Sequence, residues 1–216
     1  MEKALLGLEK TNLREQAAVA LRQAITSGAL RPGTHLRETE LSSQLQISRG
    51  TLREAFRELQ QEGLVVQATR GRLLVRSLSP KEIEDIFVVR GALESLAAEL
   101  LVSSPDLKRH VDQLGRAVER MAEAEPGSLE SRVEADLAFH RLLCSLTENE
   151  SLVTSWEGLE GAIRMSIMFA GIERGTRNMD IARHQAIVDA VASGDRASVR
   201  EAISEHMGQA ARTLIG

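Results

Sequence analysis

The chain has 216 residues, 43% hydrophobic and 27% charged, with 27 Lys+Arg against 31 Asp+Glu for a net charge of −4. That is the balance of a globular protein; no run of about 18 apolar residues exists, which excludes a membrane span, and one cysteine excludes an internal disulfide framework or a cysteine-built zinc cluster. Aromatics are only 2%, with no Tyr and a single Trp, which argues against base stacking on aromatic platforms.

The N-terminal Met1-Glu2-Lys3-Ala4-Leu5-Leu6-Gly7 lacks a secretory apolar region and predicts a cytoplasmic protein. The net charge hides an asymmetry. Residues 1–77 carry 12 Lys+Arg and 8 Asp+Glu, or +4, and residues 78–216 carry the remaining 15 and 23, or −8. Ser79-Pro80 reads as an N-cap followed by proline at the first helical position. Charge and punctuation together predict two domains, a basic one over 1–77 and an acidic one over 78–216.

In the first domain, Ala17, Ala18, Leu21 and Ile25 recur at a helical period, predicting a helix from Asn12 to Ser27 that ends at Gly28 and Arg31-Pro32-Gly33. A short helix fits Glu38 to Leu45. Gln46-Ile47-Ser48 forms a tight connection, and Ser48 is a good N-cap for a third helix from Arg49 to Glu62. That helix turns Leu52, Ala55, Phe56 and Leu59 inward at spacings of three and four, and Gly63 ends it. Two short β-like runs, Leu64-Val65-Val66 and Leu73-Leu74-Val75, flank a basic tip at Gln67-Ala68-Thr69-Arg70-Gly71-Arg72. Three helices and a basic hairpin form a winged helix-turn-helix. Its third helix presents Arg49, Gly50, Thr51 and Arg53 outward at the end that reaches base edges in the major groove. Gly50 lets the backbone come close, while Arg70, Gly71 and Arg72 can follow the minor groove or the phosphates. The bland alternative is an amphipathic helix with solvated arginines, Arg53 pairing with Glu54 or Glu58.

Gly33, Leu36, Glu38 and Leu41, then Ser48-Arg49-Gly50-Thr51-Leu52-Arg53-Glu54-Ala55 and Glu62-Gly63-Leu64-Val65, closely resemble the DNA-binding domain of GntR-family transcription regulators over about residues 10–76. The resemblance implies contacts to double-stranded operator DNA from Ser48, Arg49, Gly50, Thr51 and Arg53 and from the wing glycine Gly71. Thr39 stands where several members have a DNA-contacting arginine, and Gly50 replaces the usual Thr or Pro.

Past Pro80 no strand alternation appears. Helical segments are predicted over about 80–102, 105–124, 127–147, 150–172, 176–193 and 195–214, with breaks at Ser103-Ser104-Pro105, Pro126-Gly127, Asn149, Gly175 and Gly194-Asp195. Short connections predict an antiparallel all-α bundle, so the chain as a whole reads as mainly α. Asp136 and His140 lie four apart on one helix face, with His184 and His206 on the last two segments. Facing helices can converge such side chains, and one carboxylate with three imidazoles suits a divalent transition metal: zinc, or nickel, manganese or iron. Singly, each of these residues reads as ordinary, as do His35 and His110.

Together they resemble the Asp-x-x-x-His, His, His pattern of the FCD effector domain in the FadR subfamily of GntR regulators, as do Arg90-Gly91-Ala92-Leu93-Glu94 and His184-Gln185-Ala186-Ile187. A count of six helices rather than seven resembles the VanR-type branch. The resemblance covers nearly all of residues 80–214. It implies a homodimeric transcription regulator, often a repressor released by ligand, with a small carboxylic acid as effector. Arg90 is the candidate clamp for that carboxylate, and Arg164 is a second, because a guanidinium matches a carboxylate bidentately. A salt bridge of Arg90 with Glu94 is the plain alternative. Two rival functions are a metal-dependent enzyme acting on a small organic acid, and a constitutive DNA-binding protein with a structural metal.

Overall fold

The computed structural model describes residues 11–124, 128–170 and 172–216. It divides into two compact units on either side of the Ser77–Leu78 bond.

The first unit contains α1 (Thr11–Thr26), α2 (Glu38–Gln44), α3 (Arg49–Gln61) and an antiparallel hairpin of β1 (Val65–Gln67) and β2 (Leu73–Val75). Ala17, Ala18, Leu21 and Ile25 of α1 are buried, and so are Leu52, Ala55, Phe56 and Leu59 of α3. Each helix therefore lays one apolar stripe on a shared core. Arg22 of α1 adds a polar clasp to α3, donating from Nε to Glu62 at 2.8 Å and from Nη2 to Glu58 at 3.3 Å. Ser48 caps α3, its Oγ accepting from the Thr51 amide at 3.1 Å. The reversal between α2 and α3 passes through Gln46 at φ 53°, in the left-handed region where most side chains are strained.

Leu64 is completely buried ahead of β1. Its carbonyl accepts from the Arg76 amide at 2.9 Å, which carries the pairing register one residue past the strand end, and β1 itself starts at Val65, one residue later than the sequence predicts. The hairpin pairs Val65 with Val75 and Gln67 with Leu73. A third backbone segment lies against β2, with Leu36 N–H donating to the Leu73 carbonyl at 2.9 Å and Val75 N–H to that of Thr34 at 3.0 Å.

The second unit is all helical: α4 (Pro80–Val102), α5 (Leu107–Ala124), α6 (Leu129–Ser145), α7 (Glu150–Phe169), α8 (Ile172–Asn178), α9 (Ile181–Ala192) and α10 (Arg196–Ile215). Its largest fully buried side chains include Trp156, Phe87, Phe139, Leu114 and Leu137, and also Arg90. Helix α4 packs along α10 and also against α6, α7 and α9, which makes it the axis of the unit.

Among the described residues this unit has seven helices where the sequence predicts six, and seven is not the count on which the VanR-type likeness rests. The difference lies at Gly175. Its sequence context reads as a helix break, yet it sits inside α8. A Cβ there would meet the Ile167 carbonyl oxygen at 3.1 Å and Leu129 Cδ1 at 3.2 Å. Glycine thus serves close approach of α8 to α7 and α6, not a turn. Asp180 is the true start signal for α9, its side chain accepting from the Arg183 amide at 3.0 Å.

Helix α4 opens on a reciprocal capping box. Ser79 Oγ accepts from the Glu82 amide at 3.2 Å, and the Glu82 carboxylate accepts from the Ser79 amide at 2.8 Å. Ser79→Ala is expected to lower the stability of the helical unit by about 1 kcal/mol, a fall in unfolding midpoint of roughly 2–4 °C for a protein of this size. Calorimetry of the variant checks this, and an unchanged midpoint would mean the box contributes nothing.

Candidate metal centre and nucleic-acid interface

Three buried imidazoles meet inside the second unit: His140 from α6, His184 from α9 and His206 from α10. One potential ligand atom from each lies within 4.8 Å of the others. His140 Nε2 and His184 Nε2 are 3.1 Å apart. Each of these rings has its other nitrogen engaged. His140 Nδ1 is 2.7 Å from Glu94 Oε2, and His184 Nδ1 is 2.7 Å from the Asp180 carbonyl oxygen. Both partners are acceptors, so in the neutral form of each ring Nδ1 carries the proton and Nε2 is left to present a lone pair. Asp136, one turn before His140, brings Oδ1 to 3.1 Å from His184 Nε2. Neither Asp136 oxygen has an aligned hydrogen-bond donor among the described residues, and His206 Nδ1 is also buried without one.

Lone pairs facing lone pairs repel, and a carboxylate beside them adds to the repulsion. A cation relieves it. Ligand atoms held roughly 2.0–2.1 Å from one zinc-like ion stand about 3 Å from each other, the spacing of His184 Nε2 from His140 Nε2 and from Asp136 Oδ1. The nitrogen-rich donor set with one carboxylate suits a divalent transition metal and not the oxygen-seeking calcium or magnesium.

The predicted effector residues separate. Arg90 is 1% exposed. It donates from Nε to Glu94 Oε1 at 2.7 Å, and its Nη2 is buried without a partner among the described residues. Its guanidinium carbon lies 5.3 Å from the Phe87 ring centre. Arg164 instead forms a bidentate pair with Glu134, through Nη1 and through Nη2 at 3.1 Å, and reaches Glu160 at 3.3 Å. Its fork is already engaged by two carboxylates.

Sequence reasoning assigned no site role to Glu94 or Trp156. Glu94 is fully buried, and it also accepts from Trp156 Nε1 at 2.9 Å. Burial alone would raise the Glu94 carboxyl, but the charges and hydrogen bonds of Arg90 and His140 outweigh it and hold it at about 2. Burial likewise pushes Asp136 up, and the approach of His184 with the charges of His140 and Arg90 brings it down to about 2. His140 and His206 are both lowered, first by burial and then by neighbouring positive charge.

On the first unit, Arg49, Gly50 and Arg53 are exposed at the start of α3 and Thr51 is half-buried. Ser48 and Thr51 pair their hydroxyls at 2.9 Å. Arg53 is bound neither to Glu54 nor to Glu58. It donates from Nε to Glu38 of α2 at 2.9 Å and stays 58% exposed. Arg57 takes Glu54. Gly71 closes the wing turn at φ 76°, and the side chain of Arg70 lies outside the described residues.

The sequence matches the family described as "Bacterial regulatory proteins, gntR family" over residues 13–75 and the FCD domain over residues 85–209. A protein of Paenarthrobacter nicotinovorans named "Probable D-xylose utilization operon transcriptional repressor" is 30% identical over 201 residues, 93% of this chain and 88% of that protein. The gluconate operon transcriptional repressor of Bacillus subtilis (strain 168) is 25% identical over 212 residues, 92% and 84% of the two chains. A solved GntR transcriptional regulator from Rhodococcus sp. RHA1 has a TM-score of 0.72 at 26% identity, covering 95% of this chain and 99% of that one. Escherichia coli McbR/YncC has a TM-score of 0.71 at 21% identity over 94% and 97%, a likeness of fold alone.

The buried imidazoles give the chelator-stripped protein a defined acid response. An ordinary histidine titrates near 6.5, whereas folded His140 and His206 are lowered below that value. Below pH 6.5 the unfolded chain therefore binds more protons than the folded one, and stability present above 6.5 is lost as pH falls. Each pH unit below that point costs up to about 1.4 kcal/mol per imidazole that stays neutral. The lowered carboxyls act in the same direction at lower pH, between about 4 and 2. The unfolding midpoint is expected to drop between pH 7.5 and 5.5, and a flat or rising profile in that window would contradict the burial argument.

Proposed function

We propose, from the fact that this chain belongs to the GntR family of bacterial regulatory proteins and carries an FCD domain, that it represses transcription until a small carboxylic acid binds its helical unit. The protein is a transcription regulator. Its family and named relatives are regulators, which sets aside the reading as a metal-dependent enzyme. The operon-repressor names of two relatives support repression as the direction.

In this reading Asp136, His140, His184 and His206 hold a divalent transition metal, zinc being the first candidate. The observation that carries it is the pair of bare Nε2 atoms 3.1 Å apart. The ion supplies an electrophilic centre to which a ligand carboxylate can bind. Arg90, with a buried Nη2 to offer, adds a charge-assisted hydrogen bond to the same anion. Arg164 is not included, since Glu134 and Glu160 already hold it. The chain acts as a homodimer, which sets two recognition helices on a pseudo-palindromic operator. An acid that binds the releasing state better shifts the population toward it, and only by the difference in its two affinities.

At the DNA end, Arg49 and Arg53 read base edges or phosphates from the exposed start of α3, and Ser48 and Thr51 add hydroxyls. Arg53 would exchange Glu38 for DNA, a modest cost because exposed ion pairs are worth about 0–1 kcal/mol. The wing follows with Arg70 and Gly71.

Arg49→Ala and Arg53→Ala are each expected to weaken operator binding by about 1–3 kcal/mol at fixed salt. Gly50→Ala separates fold from function. A Cβ at Gly50 would meet nothing closer than Ser48 Oγ at 3.7 Å, so stability should hold or rise slightly while operator affinity falls. Unchanged affinity in all three variants by fluorescence anisotropy would sink the interface. His184→Ala should leave purified protein without the metal that wild type retains, measured by elemental analysis. A zinc-loaded wild type screened against small carboxylic acids should gain roughly 2.7 kcal/mol of stability with an acid at about 100 times its Kd. A metal that stabilises, with no acid altering operator affinity, would favour the constitutive binder instead.

A further inference from the structure

Glu94 is in neither the metal set nor the effector set, and it touches both. Its side chain is completely buried. Oε1 accepts from Arg90 Nε at 2.7 Å and from Trp156 Nε1 at 2.9 Å, and Oε2 accepts from His140 Nδ1 at 2.7 Å. A carboxylate placed only to neutralise an arginine gains most by meeting the two nitrogens of its fork. Glu94 meets Nε alone and leaves Nη2, on the same edge, buried and unpartnered among the described residues. On its other oxygen it fixes His140 with Nδ1 protonated and Nε2 bare. Outer carboxylates hold metal-binding imidazoles in that manner and raise their strength as ligands.

We propose that Glu94 is the positioning residue of the metal centre, aiming His140 Nε2 at the cation and joining that centre to Arg90 and Trp156 through one shared carboxylate. This rests on the reading of His140, His184 and His206 as metal ligands. When a cation draws electron density from the His140 ring, the Nδ1 proton is held more tightly by Glu94. The carboxylate then has less charge to share with Arg90 and Trp156. Metal occupancy is felt at the arginine that faces the effector, and by linkage an anion on Arg90 is felt at the metal. Trp156 is the only tryptophan in the chain, so its emission reads the state of the same carboxylate.

The test uses the full-length protein, stripped by chelator and titrated with Zn²⁺ against a chromophoric competitor while tryptophan emission is followed. Wild type, Glu94→Gln and His184→Ala are compared. Wild type is expected to bind zinc with a change in emission, and Glu94→Gln to bind roughly 10–100-fold more weakly with the emission response lost. Glu94→Gln that binds zinc within about twofold of wild type and keeps the response overturns the positioning role and leaves the metal reading standing. Wild type that takes up no zinc, or His184→Ala that binds as tightly as wild type, overturns the metal reading and this proposal with it. Long-range ¹⁵N–¹H correlation spectra of zinc-loaded wild type decide the matter even where Glu94→Gln folds poorly. A His140 ring protonated at Nδ1 and metal-shifted at Nε2 supports the proposal, and one protonated at Nε2 overturns it.

Discussion

Taking a carboxylate out of water costs several kcal/mol unless it is paired and hydrogen-bonded, and among the described residues the helical unit buries two, Glu94 and Asp136. They are met differently. Both oxygens of Glu94 accept from cationic or strongly polar donors: Arg90, Trp156 and His140. Neither oxygen of Asp136 has an aligned donor among the described residues, and Oδ1 faces an imidazole nitrogen. The first is satisfied from within the chain and the second is not. In the proposed reading, that asymmetry is why the cation is assigned to Asp136 and His184 and not to Glu94. Phe139 packs edge-on to both His140 and His184 at 5.1 Å, and such apolar walls keep water from weakening these interactions.

The requirement also explains why α4 is the axis of its unit. Arg90 and Glu94 are one turn apart, and both are buried. A helix can bury such a pair only where neighbours cover that face with partners. Here α6 supplies His140 and α7 supplies Trp156. Apolar residues of similar volume would often give a more stable core than a buried ion pair. The network therefore does not follow from stability alone.

Much of this was legible in the residues. The winged unit follows from the inward period of α3, the Ser48 cap and the glycine at the wing tip, all local signals. Asp136 and His140 were readable as a pair because a spacing of four puts them on one face. What escaped was long-range or ambiguous. Arg53 finds Glu38 fifteen positions away, and no local pattern distinguishes that partner from Glu54 or Glu58. Glu94 beside Arg90 reads as an ordinary pair on a helix surface, and only its 0% exposure gives it another meaning. Gly175 failed as a signal because a glycine that permits close packing and one that ends a helix look alike in sequence. His110 reads as a surface or core histidine without a site role, and of these two it is the buried one, in α5.

The two units use cations in opposite physical regimes. The arginines of α3 stand in solvent, where salt screens them and a phosphate or base must compete with water. In the proposed reading their value lies in being replaceable partners: Glu38 holds Arg53, and DNA would take its place at little cost. Arg90 works where the dielectric is low and each contact is worth more. An anion that reaches its Nη2 does not have to break the Nε bond to Glu94, because Nη2 carries two N–H bonds and one of them points away from the edge that it shares with Nε. In the proposed reading, binding would add to the network without dismantling it, and its effect would pass as a redistribution of charge along Arg90, Glu94 and His140. A contact of that kind would be sensitive to the ligand's charge before its shape, which is why the proposal names a class of carboxylates and not one particular acid.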